Sequence, residues 1–359
     1  KYYMSLSVTV GVMLVGLLYS ICLACQWIYG WPDKPGYKKY IEALNPRIYR
    51  LTLTTLDLLK YLQYWKVYFQ LKSWYNDERN LKYYEKGITF GRRGNKLDLY
   101  HPPNVRKLPS PAVVFVYGGA WGTGERSTYC LLGSRMAEEL KATVICPDYC
   151  TYPKGNVLGM VQDITDCLIW AHQNGEKFNF DKDNIVLIGH SAGAHLCTLT
   201  TLFLVDTREE LSIEPGKQQE VLLSIRGIIL SGVYNIVDHY EHEQKRGVER
   251  VSPMHKAMNG VENLPYYSPT HLLKKLSQDK VNLPPFALLH GTNDIMVPAE
   301  STIRFSELLT LRSVKMSLNV LHGVAHTETA VDLMVLNRRL YRPIYRYIKE
   351  EFRKFLGTC

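Results

Sequence analysis

Apolar and polar positions alternate along most of the chain in a way that predicts strands and helices in turn. Short runs of β-branched and aliphatic residues, typical of strands buried on both faces, recur between longer stretches with helical spacing. This order indicates a mostly parallel sheet with helices on both faces and right-handed crossovers. The predicted strands are 88–90, 96–100, 112–117, 142–146, 185–188, 227–230, 286–290 and 315–321, and the predicted helices are 127–140, 158–172, 192–204 and 299–311.

The N-terminal region has a different pattern. Residues 4–25 carry no charged side chain, and such a run has about the length needed to cross a ~30 Å hydrocarbon core. Aromatic residues precede and follow it, as expected at the level of lipid headgroups. We therefore predict a transmembrane anchor in residues 1–32. A cleaved signal peptide is the alternative, although its apolar core is usually shorter, about 7–15 residues.

Residues 33–84 are predicted to form a helical, membrane-proximal segment. Its stretch 51–75 is rich in Leu, Tyr and Trp, but Asp57 and Lys66 argue against a second membrane span. The stretch could lie in the membrane interface, re-enter the bilayer or pack on the following domain, and we favour the interface. Basic residues cluster after the span, which by the positive-inside rule places the bulk of the protein on the cytosolic side. They are Lys34, Lys38, Lys39, Arg47 and Arg50.

Composition supports a folded domain after this segment. The 359 residues are 46% hydrophobic and carry a formal net charge of +9. This length fits one large α/β domain plus an extension, and we assign residues 85–359 to that domain. The positive charge suits contact with membrane lipid of anionic character. No basic patch interleaved with aromatic residues points to nucleic acid, so we predict no nucleic-acid partner.

The most informative motif follows the strand predicted at 185–188. The sequence GHSAG at 189–193 matches the nucleophile elbow, a tight turn between a strand and a helix. Gly189 and Gly193 would let the backbones pass closely, and the turn would present the Ser191 hydroxyl to a substrate. For so short a motif, an ordinary Gly-Ser loop is the alternative interpretation.

Backbone donors for a developing oxyanion are expected at two places. Gly118, Gly119 and Ala120 follow the predicted strand 112–117, and small residues let the backbone N–H groups come close to a negative oxygen. The N–H of Ala192, the residue after the nucleophile, is the expected partner donor. His190, beside the nucleophile, is a further candidate for substrate contact.

An acid and a base follow the last two predicted strands. Asp294 comes after 286–290 and His326 after 315–321, at the carboxyl ends where an open α/β sheet carries its working residues. The chain order Ser191, Asp294, His326 is that of the α/β-hydrolase fold. Imidazole would take the serine proton and the carboxylate would orient the imidazole, so no cofactor and no metal is required. His322 is the alternative base, although its place at the strand end favours a structural role.

We expect the other polar groups singled out here to have structural roles. Asp163 and Asp166 fit an exposed helix face, and the segment 238–245 reads as a solvated loop rather than a metal site. Asp148 follows a strand and is expected to brace the adjoining loop.

Six motifs between roughly residues 99 and 355 carry a resemblance to a known family. They are VYGGAW (116–121), CPDY (146–149), IGHSAGAH (188–195), LSGVYNI (230–236), LHGTND (289–294) and GVAH (323–326). In these motifs the chain resembles the isoprenylcysteine α-carbonyl methylesterases, a membrane-bound branch of the α/β-hydrolases. The resemblance implies Ser191, Asp294 and His326 as triad, with prenylated cysteine methyl esters or prenylated proteins as substrates and a carboxylate and methanol as products. We also expect a single-pass protein of the endoplasmic reticulum or Golgi membrane, with its catalytic domain facing the cytosol.

One departure and three alternatives accompany this resemblance. Tyr117 stands where many relatives, including arylformamidases, begin the oxyanion motif with His, which agrees with the methylesterase branch. Residues 233–283 are expected to form a lid whose Tyr and Met side chains, such as Tyr234, line an apolar pocket. The alternatives are a membrane-bound lipid or xenobiotic carboxylesterase, an arylformamidase and a non-catalytic ligand-binding protein of the same fold.

Overall fold

The computed structural model describes residues 60–103, 108–278 and 281–358, together with positions 13, 16, 17, 20 and 54. Most of the predicted anchor and of the segment up to residue 59 lies outside these described residues. Among the helices that are described, none combines the length and the apolar character needed to cross a bilayer. The anchor therefore remains a prediction.

Eight strands of the described residues form a mixed sheet in the order β1-β2-β4-β3-β5-β6-β7-β8. The pairs β1/β2 and β2/β4 are antiparallel, and the remaining neighbours are parallel. This mostly parallel sheet is that of an α/β-hydrolase, and the predicted fold class is confirmed. The strands are β1 (Tyr84–Phe90), β2 (Asn95–Tyr100), β3 (Ser110–Val116), β4 (Thr143–Pro147), β5 (Phe180–Ser191), β6 (Ile225–Gly232), β7 (Phe286–Gly291) and β8 (Met316–Leu321).

Helices pack against the sheet and one another. The helices are α1 (Trp65–Asn76), α2 (Cys130–Leu140), α3 (Val157–Asn174), α4 (Ala192–Val205), α5 (Pro215–Ser224), α6 (Ile236–Arg246), α7 (Met254–Ala257), α8 (Pro269–Lys275), α9 (Ala299–Leu311), α10 (Glu328–Val331) and α11 (Tyr341–Phe355). Helix α2 contacts β4 and α11 contacts β6, while α4 lies along β5 and touches α3 and α5. Single 3₁₀ turns lie at Lys60–Tyr64, Glu78–Lys82, Arg126–Tyr129, Glu209–Leu211, Val261–Asn263 and Asp332–Met334.

The central strands β3 and β5 bring two loops to one edge of the sheet. Their apolar residues, such as Val114 and Leu187, are fully buried, as expected for strands covered on both faces. The strands are parallel, and Val116 at the end of β3 pairs with Gly189 near the end of β5. The loop after β3 and the turn after β5 are therefore neighbours.

The prediction that Asp163 and Asp166 lie on an exposed helix face is wrong. Both carboxylates are buried, and each forms an ion pair at 2.8 Å, Asp163 with Arg93 and Asp166 with Arg92. The two arginines belong to the turn between β1 and β2, which folds onto α3. The spacing within α3 does not reveal that a distant turn supplies the opposite charges.

The segment 238–245 is part of helix α6 rather than a solvated loop. Asn235 caps the helix by accepting hydrogen bonds from the N–H groups of Val237 and Asp238. His239 and Glu243, one helical turn apart, are buried, because this face of α6 is covered by the rest of the domain.

The expectation that Tyr234 lines a lid pocket is also corrected. Its ring is fully buried and stacks on Phe305 with 4.5 Å between ring centroids. Phe305 belongs to α9, so Tyr234 packs in the core of the domain. The adjoining chain then carries α6, α7 and α8 within the segment predicted as a lid.

Candidate active site

The turn after β5 has the strained backbone of a nucleophile elbow. Ser191 adopts φ 56° and ψ −123°, a conformation that non-glycine residues seldom take and that the surrounding structure must enforce. A Cβ atom on Gly189 would lie 2.8 Å from the backbone of Ala194, and one on Gly193 would lie 2.0 Å from the Val116 carbonyl oxygen. The prediction that both glycines permit a close backbone passage is confirmed.

Three side chains from three loops meet at this turn. His326 Nε2 lies 2.9 Å from Ser191 Oγ, and His326 Nδ1 lies 2.6 Å from Asp294 Oδ2. His326 and Asp294 are buried. Because the carboxylate can only accept, Nδ1 carries the proton and Nε2 is left to accept from the serine hydroxyl. The arrangement can activate a serine as a nucleophile. His322, the alternative base, is exposed.

Hydrogen bonds hold Asp294 in its ionised form. Its Oδ1 accepts from the backbone N–H groups of Met296 and Val297 at 2.9 and 2.8 Å, and its Oδ2 lies 3.2 Å from His290 Nε2. Burial by itself would raise the pKa of Asp294. The neighbouring His326 and His290 outweigh burial and place the pKa of this carboxyl far below its usual range. Asp294 is thus a stable negative partner for an imidazolium.

The loop after β3 bends closely around the serine. A Cβ atom on Gly118 would lie 2.7 Å from the Cβ of Ser191. Gly119 has φ 143° and Ala120 has φ 50°, so the chain turns sharply beside the hydroxyl. Ala192 begins α4, and the first N–H groups of a helix have no partner within it. Of the predicted oxyanion residues, Gly118 therefore lies against Ser191 and Ala192 follows it directly in the chain.

His190 packs beside the candidate base. Its ring lies 4.9 Å from the ring of His326, and its Nε2 lies 3.1 Å from the His326 carbonyl oxygen, to which it donates. Burial and the neighbouring His326 lower the pKa of His190 to about 3. A neutral His190 thus supports the loop that carries His326, and its predicted contact with substrate stays a prediction.

Tyr117 is held by the residue predicted to brace this loop. Its hydroxyl donates to Asp148 Oδ1 at 3.0 Å, and the same oxygen accepts from the backbone N–H of Arg126 at 2.7 Å. The Arg126 guanidinium also pairs with Asp148 and with Asp98. The expected bracing role of Asp148 is confirmed.

Two buried histidines near the site have no role predicted from the sequence. His290, in β7, donates from Nε2 toward Asp294 and the Val297 carbonyl and accepts at Nδ1 from Thr302, 2.6 Å away. His195, in the first turn of α4, contacts Trp121 and the Tyr267 carbonyl. The sequence holds one clue to each histidine, its distance from a candidate catalytic residue. His290 precedes Asp294 by four residues, and His195 follows Ser191 by four.

The family of this chain follows from a comparison with known protein families. Residues 97–309 match the BD-FAE family. The chain belongs to this family. The match includes most of β2 and all of β3 to β7, with Ser191 and Asp294, whereas β8 and His326 lie beyond it.

The curated relatives are esterases. The chain is 35% identical to a probable isoprenylcysteine alpha-carbonyl methylesterase of Oryza sativa subsp. japonica over 65% of this chain and 55% of the relative. It is 33% identical to the isoprenylcysteine alpha-carbonyl methylesterase of Arabidopsis thaliana, over 69% of this chain and 57% of that protein. The chain therefore spans little more than half the length of these relatives.

A solved structure shares the fold. The hyperthermophilic esterase from the archaeon Pyrobaculum calidifontis superimposes with a TM-score of 0.62, covering 87% of this chain and 98% of that one at 22% sequence identity. At this identity the likeness concerns the architecture of the sheet and its helices.

Proposed function

We propose that the protein is a serine esterase that hydrolyses the methyl ester of isoprenylated cysteine. The observation that carries the esterase part is the continuous hydrogen-bonded series Ser191, His326, Asp294. The resemblance to the methylesterases of rice and Arabidopsis supports the choice of ester.

The geometry suits a two-step acyl transfer. Ser191 Oγ attacks the ester carbonyl carbon while its proton passes to His326 Nε2. The tetrahedral oxyanion faces the backbone of Gly118 to Ala120 and the N–H of Ala192, and it collapses to an acyl-serine as methanol leaves with the proton from His326. Water then attacks the acyl-serine by the same route and releases the carboxylate and the free serine.

We also propose that this esterase works at a membrane. The predicted span at 4–25 would anchor it, in keeping with a substrate that partitions into bilayers at about 0.8 kcal/mol per buried CH₂. Helix α1 and the turn before it present large apolar side chains to solvent: Leu62, Trp65 and Phe69 are 65%, 57% and 61% exposed. These residues are spaced by three and four, so they share one face of the helix.

The opposite side of α1 packs on the domain. Leu71 is buried and Trp74 stacks on Tyr84, so the helix is apolar on two opposite faces. Lys66 and Lys72 flank the exposed face, as in helices that lie in a membrane interface over anionic lipid. For α1, packing on the following domain thus holds for one face, and the exposed apolar face supports the interface as the second contact.

The substrate is tested by comparing esters on detergent-solubilised protein. N-acetyl-S-farnesylcysteine methyl ester, N-acetylcysteine methyl ester, p-nitrophenyl butyrate and N-formylkynurenine are each incubated with wild-type protein and Ser191→Ala. We expect a Ser191-dependent kcat/KM that is highest on the farnesyl ester and falls when only the prenyl chain is removed.

The other outcomes separate the alternatives. Highest activity on the butyrate ester indicates a general carboxylesterase, and highest activity on N-formylkynurenine indicates an arylformamidase. Equal rates on the two cysteine esters contradict recognition of the prenyl group. No Ser191-dependent hydrolysis of any of the four compounds contradicts the esterase itself and favours a ligand-binding role.

A further inference from the structure

The loop after β3 is held in an unfavourable backbone conformation. Ala120 and Trp121 are consecutive non-glycine residues with φ of 50° and 60°, directly after Gly119. Such a conformation is strained in a non-glycine residue and persists only when its surroundings fix it. Local hydrogen bonds from Gly122 and Thr123 to the Gly119 carbonyl close the turn. They do not fix its position relative to Ser191, because all of these groups belong to the same loop.

The side chain of Trp121 links this loop to the elbow helix. Its indole is 2% exposed, and Nε1 donates to His195 Nδ1 at 3.1 Å, with the rings edge-on at a centroid distance of 5.3 Å. His195 stands one helical turn after Ser191 and Ala192 at the start of α4. The two segments that supply the expected oxyanion donors are thus joined by one side-chain hydrogen bond.

The second nitrogen of His195 contacts a third segment. His195 Nε2 lies 2.7 Å from the carbonyl oxygen of Tyr267, in the stretch between α7 and α8. An indole nitrogen can only donate and a carbonyl can only accept, so His195 must accept at Nδ1 and donate from Nε2. Only one neutral tautomer satisfies both partners. Burial lowers the pKa of His195 to about 4, which keeps the ring neutral at physiological pH.

We propose that His195 is a positioning residue that fixes the oxyanion loop relative to the nucleophile through Trp121 and fastens both to the segment at Tyr267. This role rests on the proposed esterase function. It predicts a loss in kcat rather than in substrate binding, because a displaced donor weakens the transition state more than the ground state.

Two substitutions of His195 each keep one of its two hydrogen bonds and remove the other. The side-chain oxygen of Asn can replace Nδ1 as acceptor for Trp121, whereas the longer Gln amide reaches the place of Nε2 and keeps the bond to Tyr267. Trp121→Phe removes the indole N–H together with part of the buried ring, and it leaves His195 unchanged. Thr198→Val is the matched control, since Thr198 is equally buried on α4 but its hydroxyl donates only to the Ala194 carbonyl of the same helix.

Kinetics on p-nitrophenyl butyrate, read with the melting temperature of each variant, test the proposal. We expect His195→Gln and Trp121→Phe each to lower kcat by roughly 10- to 100-fold, somewhat less than deletion of an oxyanion donor, with KM changed less than threefold. We expect His195→Asn and Thr198→Val to stay within about threefold of wild type, and the double variant Trp121→Phe/His195→Gln to be no slower than either single variant.

Three results overturn the proposal: a folded His195→Gln with wild-type kcat, a His195→Asn as slow as His195→Gln, or losses in Trp121→Phe and His195→Gln that multiply in the double variant. A second measurement does not depend on esterase activity. Hydrogen exchange of the ¹⁵N-labelled Trp121 indole N–H, assigned with Trp121→Phe, should be slow in wild type and His195→Asn and fast in His195→Gln.

This second readout distinguishes the two proposals. If the wild-type protein hydrolyses no ester, the proposed function fails. Slow indole exchange in wild type and fast exchange in His195→Gln would still support the hydrogen bond between Trp121 and His195. Equal exchange rates in wild type and His195→Gln contradict the link whatever the esterase activity.

Discussion

The hydroxyl of Tyr117 lies 3.0 Å from Oδ1 of Asp148. Tyr117 directly precedes the two glycines of the loop beside the candidate nucleophile. Burial, with Tyr149 and Asp148 nearby, raises the pKa of Tyr117 far above its usual value, so the phenol stays protonated and donates. Asp148 in turn pairs with Arg126. The departure from His at this position is thus accompanied by a partly buried carboxylate that accepts from the phenol and is itself paired with Arg126.

The first prediction concerns this contact. Tyr117→Phe should lower the free energy of unfolding by about 1.5–3 kcal/mol, because it removes a hydrogen bond to a charged and largely buried acceptor. Chemical denaturation measures the change. Tyr83→Phe is the control, since Tyr83 is 45% exposed and its hydroxyl loss should cost less than about 0.5 kcal/mol. Equal effects of the two substitutions would show that the Asp148 contact contributes nothing particular to stability.

The second prediction concerns pH. Burial, together with Glu249, raises the pKa of Glu243 to about 8, against the lowering influence of Ser252 and Arg246. An acid with a raised pKa binds more protons in the folded state than in the unfolded state, so stability falls as pH rises from about 4.5 to about 8. The slope from one such group is at most about 1.4 kcal/mol per pH unit.

Glu243→Gln should remove this loss, because a neutral amide oxygen can accept the same hydrogen bond from Ser252. We expect the variant to match wild type near pH 4.5 and to become more stable than wild type as the pH approaches 8. Glu241→Gln, an exposed position on the same helix, should show no such trend. A constant difference between wild type and Glu243→Gln across pH 4.5–8 contradicts the raised pKa.

The third prediction concerns the exposed face of α1. Replacing Trp65 and Phe69 together by Ser should lower kcat/KM roughly tenfold on a farnesylated ester embedded in anionic vesicles. Full burial of one such side chain contributes about 1.5–3 kcal/mol, and burial in the membrane interface is only partial. Hydrolysis of a short water-soluble ester should not change. Leu311→Ser, at a position 79% exposed on α9, is the control. Equal loss on both esters would contradict a role in membrane contact.

The sequence predicts the sheet well, and it singles out the three side chains that meet beyond β5, β7 and β8, because strands and the residues that follow them leave local signals. Helix 299–311 is confirmed with its bounds, and the elbow glycines are confirmed by their close contacts. The antiparallel pairing of β2 with β4 and the helix Tyr341–Phe355 were not predicted. Pairing between distant strands leaves no signal in either strand alone.

The polar residues whose burial was not predicted have partners that lie far away in the chain. Asp163 and Asp166 are as hydrophilic as exposed residues, and each is buried against an arginine of a turn about 70 residues earlier. His195 was overlooked for a related reason: its partners Trp121 and Tyr267 lie on opposite sides of it in the chain, each more than 70 residues away. Tertiary hydrogen bonds of this kind emerge only when the segments are packed.

The central claim is that Ser191 is a nucleophile activated by His326 and Asp294. The most direct measurement is the intact mass, with peptide mapping, of protein treated with an alkyl fluorophosphonate. We predict one adduct, on Ser191, in wild type, none in Ser191→Ala, and labelling slowed by about 10³- to 10⁴-fold in Asp294→Asn, where the imidazole loses its orienting carboxylate. An adduct on another residue, or equal labelling of wild type and Asp294→Asn, would contradict the account.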